Sequence, residues 1–290
     1  MPAPSSEIDI SPALVAALVE QQHPQYAGEV RLVAHGWDND IFRLGDLHCV
    51  RLPRRAAGAP LILNEQRWLP GIAARMPVRV PAPLAVGRPT DDYPWSWSIV
   101  EWAAGTPADL LPDRDGLATD LAAAFRALHV PAPEGAPYNS YRGVPLADRR
   151  EVVLQRLDGT DADAASVAVV RAAWEAGLAA PVWDGPPLWL HGDPHPGNAI
   201  VGADGHLSAL IDFGDLCSGD PATDLAAAWL FFGPAGRAAF REALADSYDG
   251  ATWVRARAWA GSLALALLTD SDGSQRMASI ARHTMQQLAE

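Results

Sequence analysis

The spacing of the apolar residues changes once along this chain, and that change limits the folds open to it. Up to about residue 103 the apolar residues fall in short alternating or β-branched runs between Gly, Pro and Asp. Runs of period two bury one face of an extended strand. They predict strands over 30–36, 41–44, 48–53, 84–87 and 97–102, and one helix over 60–76 where the spacing lengthens. Beyond the Gly/Pro-rich stretch 103–116 the pattern is helical almost throughout. Helices are predicted over 117–129, 146–157, 163–177, 222–232, 236–248, 251–268 and 275–289. Two short strands interrupt them, 198–201 and 207–212, around the turn 202–205. The expected fold is α+β in two parts: a small, mainly antiparallel β lobe over 1–103, and a larger helical lobe over 104–290 carrying a hairpin.

Composition narrows the function classes. With 290 residues, 49% hydrophobic and 20% charged, the chain can bury a sizeable core. No apolar run approaches the length of a membrane span, and residues 1–20 are acidic where a secretory signal would be basic. A cytoplasmic location is therefore expected. The two cysteines, Cys49 and Cys217, stand alone in apolar or small-residue surroundings, too few for a disulfide framework or a zinc site. A net charge of −13 argues against nucleic acid and anionic membranes as partners. Nothing in the sequence points to an obligate protein partner. All 22 basic residues are arginines, which constrains any chemistry that ordinarily uses a lysine.

The densest chemistry lies in 188-LWLHGDPHPGNAIV-201. His191 and His195 are four apart, as in a two-histidine zinc helix, but Gly192, Pro194, Pro196 and Gly197 forbid a helix there. A polar turn between strands explains the Gly and Pro. It does not explain Asp193 and Asn198, nor the 210-LIDFGD-215 that follows.

Together these segments resemble the aminoglycoside phosphotransferase family of small-molecule kinases. The order H-G-D-x-H-x-x-N and then I-D-F-G-D is similar to the kinase catalytic loop and its metal-binding triplet. Segments 36–46, 51–55, 64–70 and 220–226 also look like family segments, so the likeness runs from about residue 30 to about residue 230. It implies a protein-kinase-like fold whose N-terminal lobe, with its hinge, binds the nucleotide, and whose C-terminal lobe carries the catalytic loop and acceptor site. ATP or GTP would be the phosphoryl donor, with Mg²⁺ and a small-molecule hydroxyl as acceptor. By the same resemblance Asp193 is the catalytic base, and Asn198 and Asp212 are the metal ligands. These residue types suit the chemistry: a carboxylate takes the hydroxyl proton, and magnesium prefers hard oxygen ligands. His191 and His195 are expected to brace the loop.

Where a kinase holds the phosphates with a lysine, this chain offers Arg51, with Glu65 on the following helix as its partner. The loop 36–45 stands in for the Gly-rich loop without G-x-G-x-x-G, leaving Asn39 and backbone N–H groups to cover the phosphates. Arg54 and Arg55 are expected to face solvent. The base of the nucleotide is expected against the backbone of Glu101, Trp102 and Ala103. No activation segment or A-P-E motif follows Gly214, so a small molecule is the expected acceptor and not a peptide. Asp220 is read as a helix cap and Asp224 as a buried brace. Asp215, Asp270 and Asp272 are candidate acceptor carboxylates, suited to an aminoglycoside-like polyamine. Trp253, Trp259, Leu263 and Leu267 would instead suit a macrolide. A metabolic small-molecule kinase and a non-catalytic nucleotide-binding pseudokinase are the remaining alternatives.

Overall fold

The computed structural model describes residues 5–270 and 273–290. They form two compact units: residues 5–104 with Ile211–Gly214, and Gly105–Leu210 with Asp215–Glu290.

The first unit opens on α1 (Pro12–Gln22), where Ser11 Oγ accepts the Leu14 N–H and Pro12 occupies the first turn. Ser-Pro is a favourable helix start, yet the predicted set contains no helix here. The strands β1 (Val30–His35), β2 (Asn39–Leu44) and β3 (His48–Pro53) follow, then α2 (Ala59–Ala73), β4 (Pro83–Gly87) and β5 (Trp97–Glu101). They make one antiparallel sheet in the order β1-β2-β3-β5-β4. Phe42, Val50, Leu52, Trp97 and Ile99 bury one core with Val15, Leu18 and Val19 of α1. Gly87 is required in β4, because a Cβ there would fall 1.8 Å from the Trp97 ring.

The second unit contains β6 (Thr106–Pro107), α3 (Ala118–Leu128), α4 (Arg150–Gly159), α5 (Ala164–Ala179) and β7 (Leu188–Leu190). It continues through β8 (Ala199–Val201), β9 (Leu207–Leu210), β10 (Cys217–Gly219), α6 (Ala222–Leu225) and α7 (Ala227–Leu230). It ends in α8 (Pro234–Ala243), α9 (Gly250–Thr269) and α10 (Gln275–Ala289). The long α9 is the centre of the helical packing and lies against α5, α6 and α10. Two small sheets, β6-β8-β9 and β10-β7, hold the ends of the loop 191–198.

Several predicted elements are corrected. The second hairpin strand stops at Leu210 and does not reach 212, because Asp212 adopts φ 60° and leaves the pleated conformation. The helix predicted over 222–232 is two single turns, and that over 236–248 ends at Ala243. The helix predicted from 146 begins as a 3₁₀ turn over Leu146–Arg149. The strands β7 and β10 are three residues each, too short to show a period. Cys49 and Cys217 are free and buried, and burial pushes the Cys49 thiol up to about 11, which leaves it unreactive. Among the described residues no helix is long and apolar enough to cross a membrane.

Candidate active site

The chemistry of the second unit begins where β7 ends. Asp224, fully buried, accepts the His191 N–H at 2.7 Å with one oxygen and the Gly192 N–H at 2.9 Å with the other. Its carboxylate is held from behind by His129 Nε2 at 3.0 Å, and Tyr248 holds the far side of that imidazole at 2.7 Å. Such buried polar groups are stable only when each finds a partner. The entry to the loop is thereby fixed. Gly192 makes the turn at φ +87°, and a Cβ there would meet the Asp215 carbonyl oxygen at 2.4 Å.

Within the loop the histidines act as braces. His191 Nδ1 accepts the Asp193 N–H at 3.2 Å, and His195 Nδ1 accepts the Gly197 N–H at 3.1 Å. His195 Nε2 also stands 3.3 Å from Asp193 Oδ2. Asn198 closes the loop by donating through Nδ2 to the Asp193 carbonyl at 3.0 Å and to its Oδ2 at 3.2 Å. Burial alone would raise the pKa of Asp193. The neighbouring His195, then Arg142 and His191, outweigh burial and hold the carboxyl well below the usual carboxylate range. Asp193 is thus an ionised, aimed carboxylate.

Sequence reasoning misses the residues that complete this cluster. Arg142 stands 3.3 Å from Asp215 Oδ2 and 3.8 Å from Asp193 Oδ1, and Asn139 Nδ2 donates to Asp215 Oδ1 at 2.8 Å. Both lie in an aperiodic, proline-rich segment whose only local signals are its glycine and its asparagine.

In the first unit Arg51 of β3 is buried and grips Glu65 of α2 with both NH groups, one at 3.1 Å to Oε1 and the other to Oε2. Burial works against its charge, but Glu65 and Asp212 outweigh burial and raise its pKa. Arg51 also stands 3.8 Å from Asp212 Oδ1, whose side chain is 61% exposed. The structure therefore brings Arg51, Glu65 and Asp212 together. The turn between β1 and β2 is closed by Gly36 N–H donating to Asn39 O at 2.8 Å. Asn39 is buried in β2, and its Oδ1 has no hydrogen-bond partner. Arg54 and Arg55, expected to face solvent, are partly buried and tie this turn down, through Gly36 O at 3.0 Å and Asp38 Oδ1 at 2.6 Å.

The three residues expected to meet the nucleotide base lie at and just after the end of β5. The Trp102 N–H already donates to Leu47 O at 2.8 Å, and its ring carries the Arg43 guanidinium at 4.1 Å. Glu101 is exposed and paired with Arg79 at 3.1 Å. Of the acceptor candidates, Asp270 caps α9 and is paired with Arg156, and Asp215 is paired as described. Asp272 lies outside the described residues.

The model of the phosphotransferase enzyme family, APH, matches residues 29–259. The chain belongs to this phosphotransferase family. It is a small-molecule phosphotransferase. No curated protein matches it. Three solved structures share its fold at low identity. The GDP and kanamycin complex of APH(2'')-IIIa superimposes with TM-score 0.70 at 18% identity, over 95% of this chain and 98% of that one. The streptomycin–ATP ternary complex of APH(2'')-IIa gives TM-score 0.60 at 17% identity, over 96% and 97%. Macrolide 2'-phosphotransferase MphH from Brachybacterium faecium gives 0.61 at 21% identity, over 93% and 97%. The phosphotransferase thus has the α+β, kinase-like fold, an antiparallel sheet followed by a helical part.

Proposed function

We propose that the phosphotransferase moves the terminal phosphoryl group of ATP or GTP to a hydroxyl of a small molecule, with Asp193 as the base. The observation that carries this reading is the bond from Asn198 to Asp193 on a loop clamped by Asp224. Phosphoryl transfer needs little covalent help, so its catalyst is chiefly a set of aimed charges. An ionised carboxylate with both oxygens oriented can take the acceptor's proton as its oxygen attacks phosphorus. GDP and ATP in the related structures support a nucleotide donor. Arg51, steadied by Glu65, is the residue proposed to hold phosphate, and its planar fork suits bidentate contact.

Magnesium fits the donors offered. Asn198 uses its Nδ2 on Asp193, which leaves its carbonyl oxygen for a ligand. Asp212 presents an exposed carboxylate. These are hard oxygens of the kind magnesium takes, usually one or two from protein with waters completing the shell. Bound there, the ion would neutralise charge on the phosphates. Among the described residues no group of three His, Cys, Asp or Glu side chains could hold a metal by itself.

A specific observation bears on the acceptor. The two described carboxylates offered to a polyamine each already carry an arginine, Arg142 on Asp215 and Arg156 on Asp270. Trp253, Trp259 and Leu263, offered to a macrolide, are in turn buried in the helical core, so the acceptor class is set by the screen. The test incubates the protein with Mg²⁺ and ATP or GTP against kanamycin, streptomycin, a macrolide, amino alcohols, sugars and nucleosides. Nucleoside diphosphate release matched by a singly phosphorylated product is expected with at least one acceptor. Intact nucleotide binding without any phosphorylated product would overturn the reading and leave the non-catalytic alternative.

A further inference from the structure

We propose that Arg142 is a positioning residue for phosphoryl transfer: its guanidinium fixes the Asp193 carboxylate and takes Asp215 as counter-ion, so that Asp215 serves the base and not the acceptor. This rests on the reading of Asp193 as the base.

The segment carrying Arg142 has no helix or strand, yet its backbone is bonded at both ends. The Ser218 N–H donates to Pro137 O at 3.1 Å, and Asn139 Oδ1 accepts the Tyr141 N–H at 2.7 Å. The Gly143 N–H donates to Thr223 Oγ1 at 3.0 Å, and Gly143 O accepts the Asp220 N–H at 2.9 Å. Gly143 takes φ +68° and packs directly on Gly219, where a Cβ would fall 2.1 Å from Gly143 O. An aperiodic segment fixed this closely delivers one side chain to a set place.

That side chain is Arg142, only 17% exposed. One of its nitrogens faces both Asp215 Oδ2 and Asp193 Oδ1. The other oxygen of Asp215 accepts from Asn139, so both oxygens of Asp215 already face partners from the segment 139–142. The other oxygen of Asp193 faces His195 and Asn198. Asp193 Oδ2 is thus bonded, and Oδ1 feels the guanidinium across 3.8 Å, which biases the plane of the carboxylate. Two carboxylates meeting at one nitrogen would repel each other without the guanidinium.

The test is a double-mutant cycle on Mg²⁺-dependent ATP and GTP turnover with water as acceptor, using Arg142→Met, Asp215→Asn and the pair. Asp193→Ala sets the baseline, and thermal unfolding is followed alongside. Misplacing a reacting group by about 1 Å costs on the order of 10²-fold, so each single variant is expected to lower kcat about 10- to 100-fold with the nucleotide KM unchanged. The pair should fall no further, since contacting residues that act as a unit are not additive. Arg142→Lys, which keeps the charge, should recover part of the loss without any change in melting temperature. Multiplying effects in the pair would overturn the proposal. So would unaltered water turnover in Asp215→Asn, or an Arg142→Lys variant no better than Arg142→Met. Wild-type turnover no higher than that of Asp193→Ala would instead remove Asp193 as the base, a separate failure.

Discussion

Two short loops carry the acidic residues of this phosphotransferase, and they are built in opposite ways. The loop 191–198 is held by bonds from outside itself: both oxygens of Asp224 on its first two N–H groups, and Arg142 beside Asp193. Within it, His191, His195 and Asn198 each make a further bond. The segment Ile211–Gly214 instead presents its acidic side chain outward. Asp212 sits at φ 60°, 61% exposed, and its recorded ion pair is the 3.8 Å approach of Arg51. The role proposed for Asp193 accounts for the first build: a base must be aimed before its substrate arrives, even at the cost of burying polar groups. A metal ligand must leave its oxygens open to an ion that arrives hydrated.

The comparison can be broken or sharpened by substitution. Arg51 belongs to both descriptions, being locked on Glu65 yet reaching Asp212. Arg51→Met leaves Glu65 buried and uncompensated, and denaturant unfolding should show a loss of about 3–5 kcal/mol. Glu65→Gln in the same chain should recover part of it, and unaltered stability would mean the pair is not the buried brace described. A smaller effect is expected of Asp224→Asn, which turns an amide NH₂ toward one of the two loop N–H groups. That mismatch should cost about 1–3 kcal/mol and lower turnover, both measurable on one sample. Turnover unaffected by this loss would show that the clamp does not aim Asp193. The smallest change in stability is expected of Asp212→Asn, within about 0.5 kcal/mol because the side chain is exposed. Its effect should fall on the Mg²⁺-dependent part of nucleotide affinity, read by titration with and without the ion. Large destabilisation would erase the contrast between the loops.

The sequence made the first of these loops legible because its partners are close along the chain. Asp193 and Asn198 are five residues apart, and the Gly and Pro between them already exclude a helix. The strand period likewise anticipates the antiparallel sheet, most clearly in β2, where burial alternates over Ile41–Leu44, whereas β3 is buried on both faces. What stayed hidden depends on distant register. Arg142 reaches Asp193 only because β10 pairs with β7 and draws the segment 137–143 onto them, and three-residue strands leave no periodic trace. His129 meets Asp224 across 95 residues of chain. The bond from the Trp102 N–H to Leu47 O likewise joins residues 55 apart in the chain and has no local signal. The helix α1 was announced by Ser11-Pro12, a local signal that a reading for charge alone passes over.

The most direct measurement compares wild type and Asp193→Asn for transfer of labelled γ-phosphate to the acceptor found by the screen, with nucleotide affinity measured in parallel. With Asp193 as the aimed base, transfer should fall about 10²- to 10⁴-fold while nucleotide affinity holds. Transfer by Asp193→Asn at the wild-type rate would contradict the central claim.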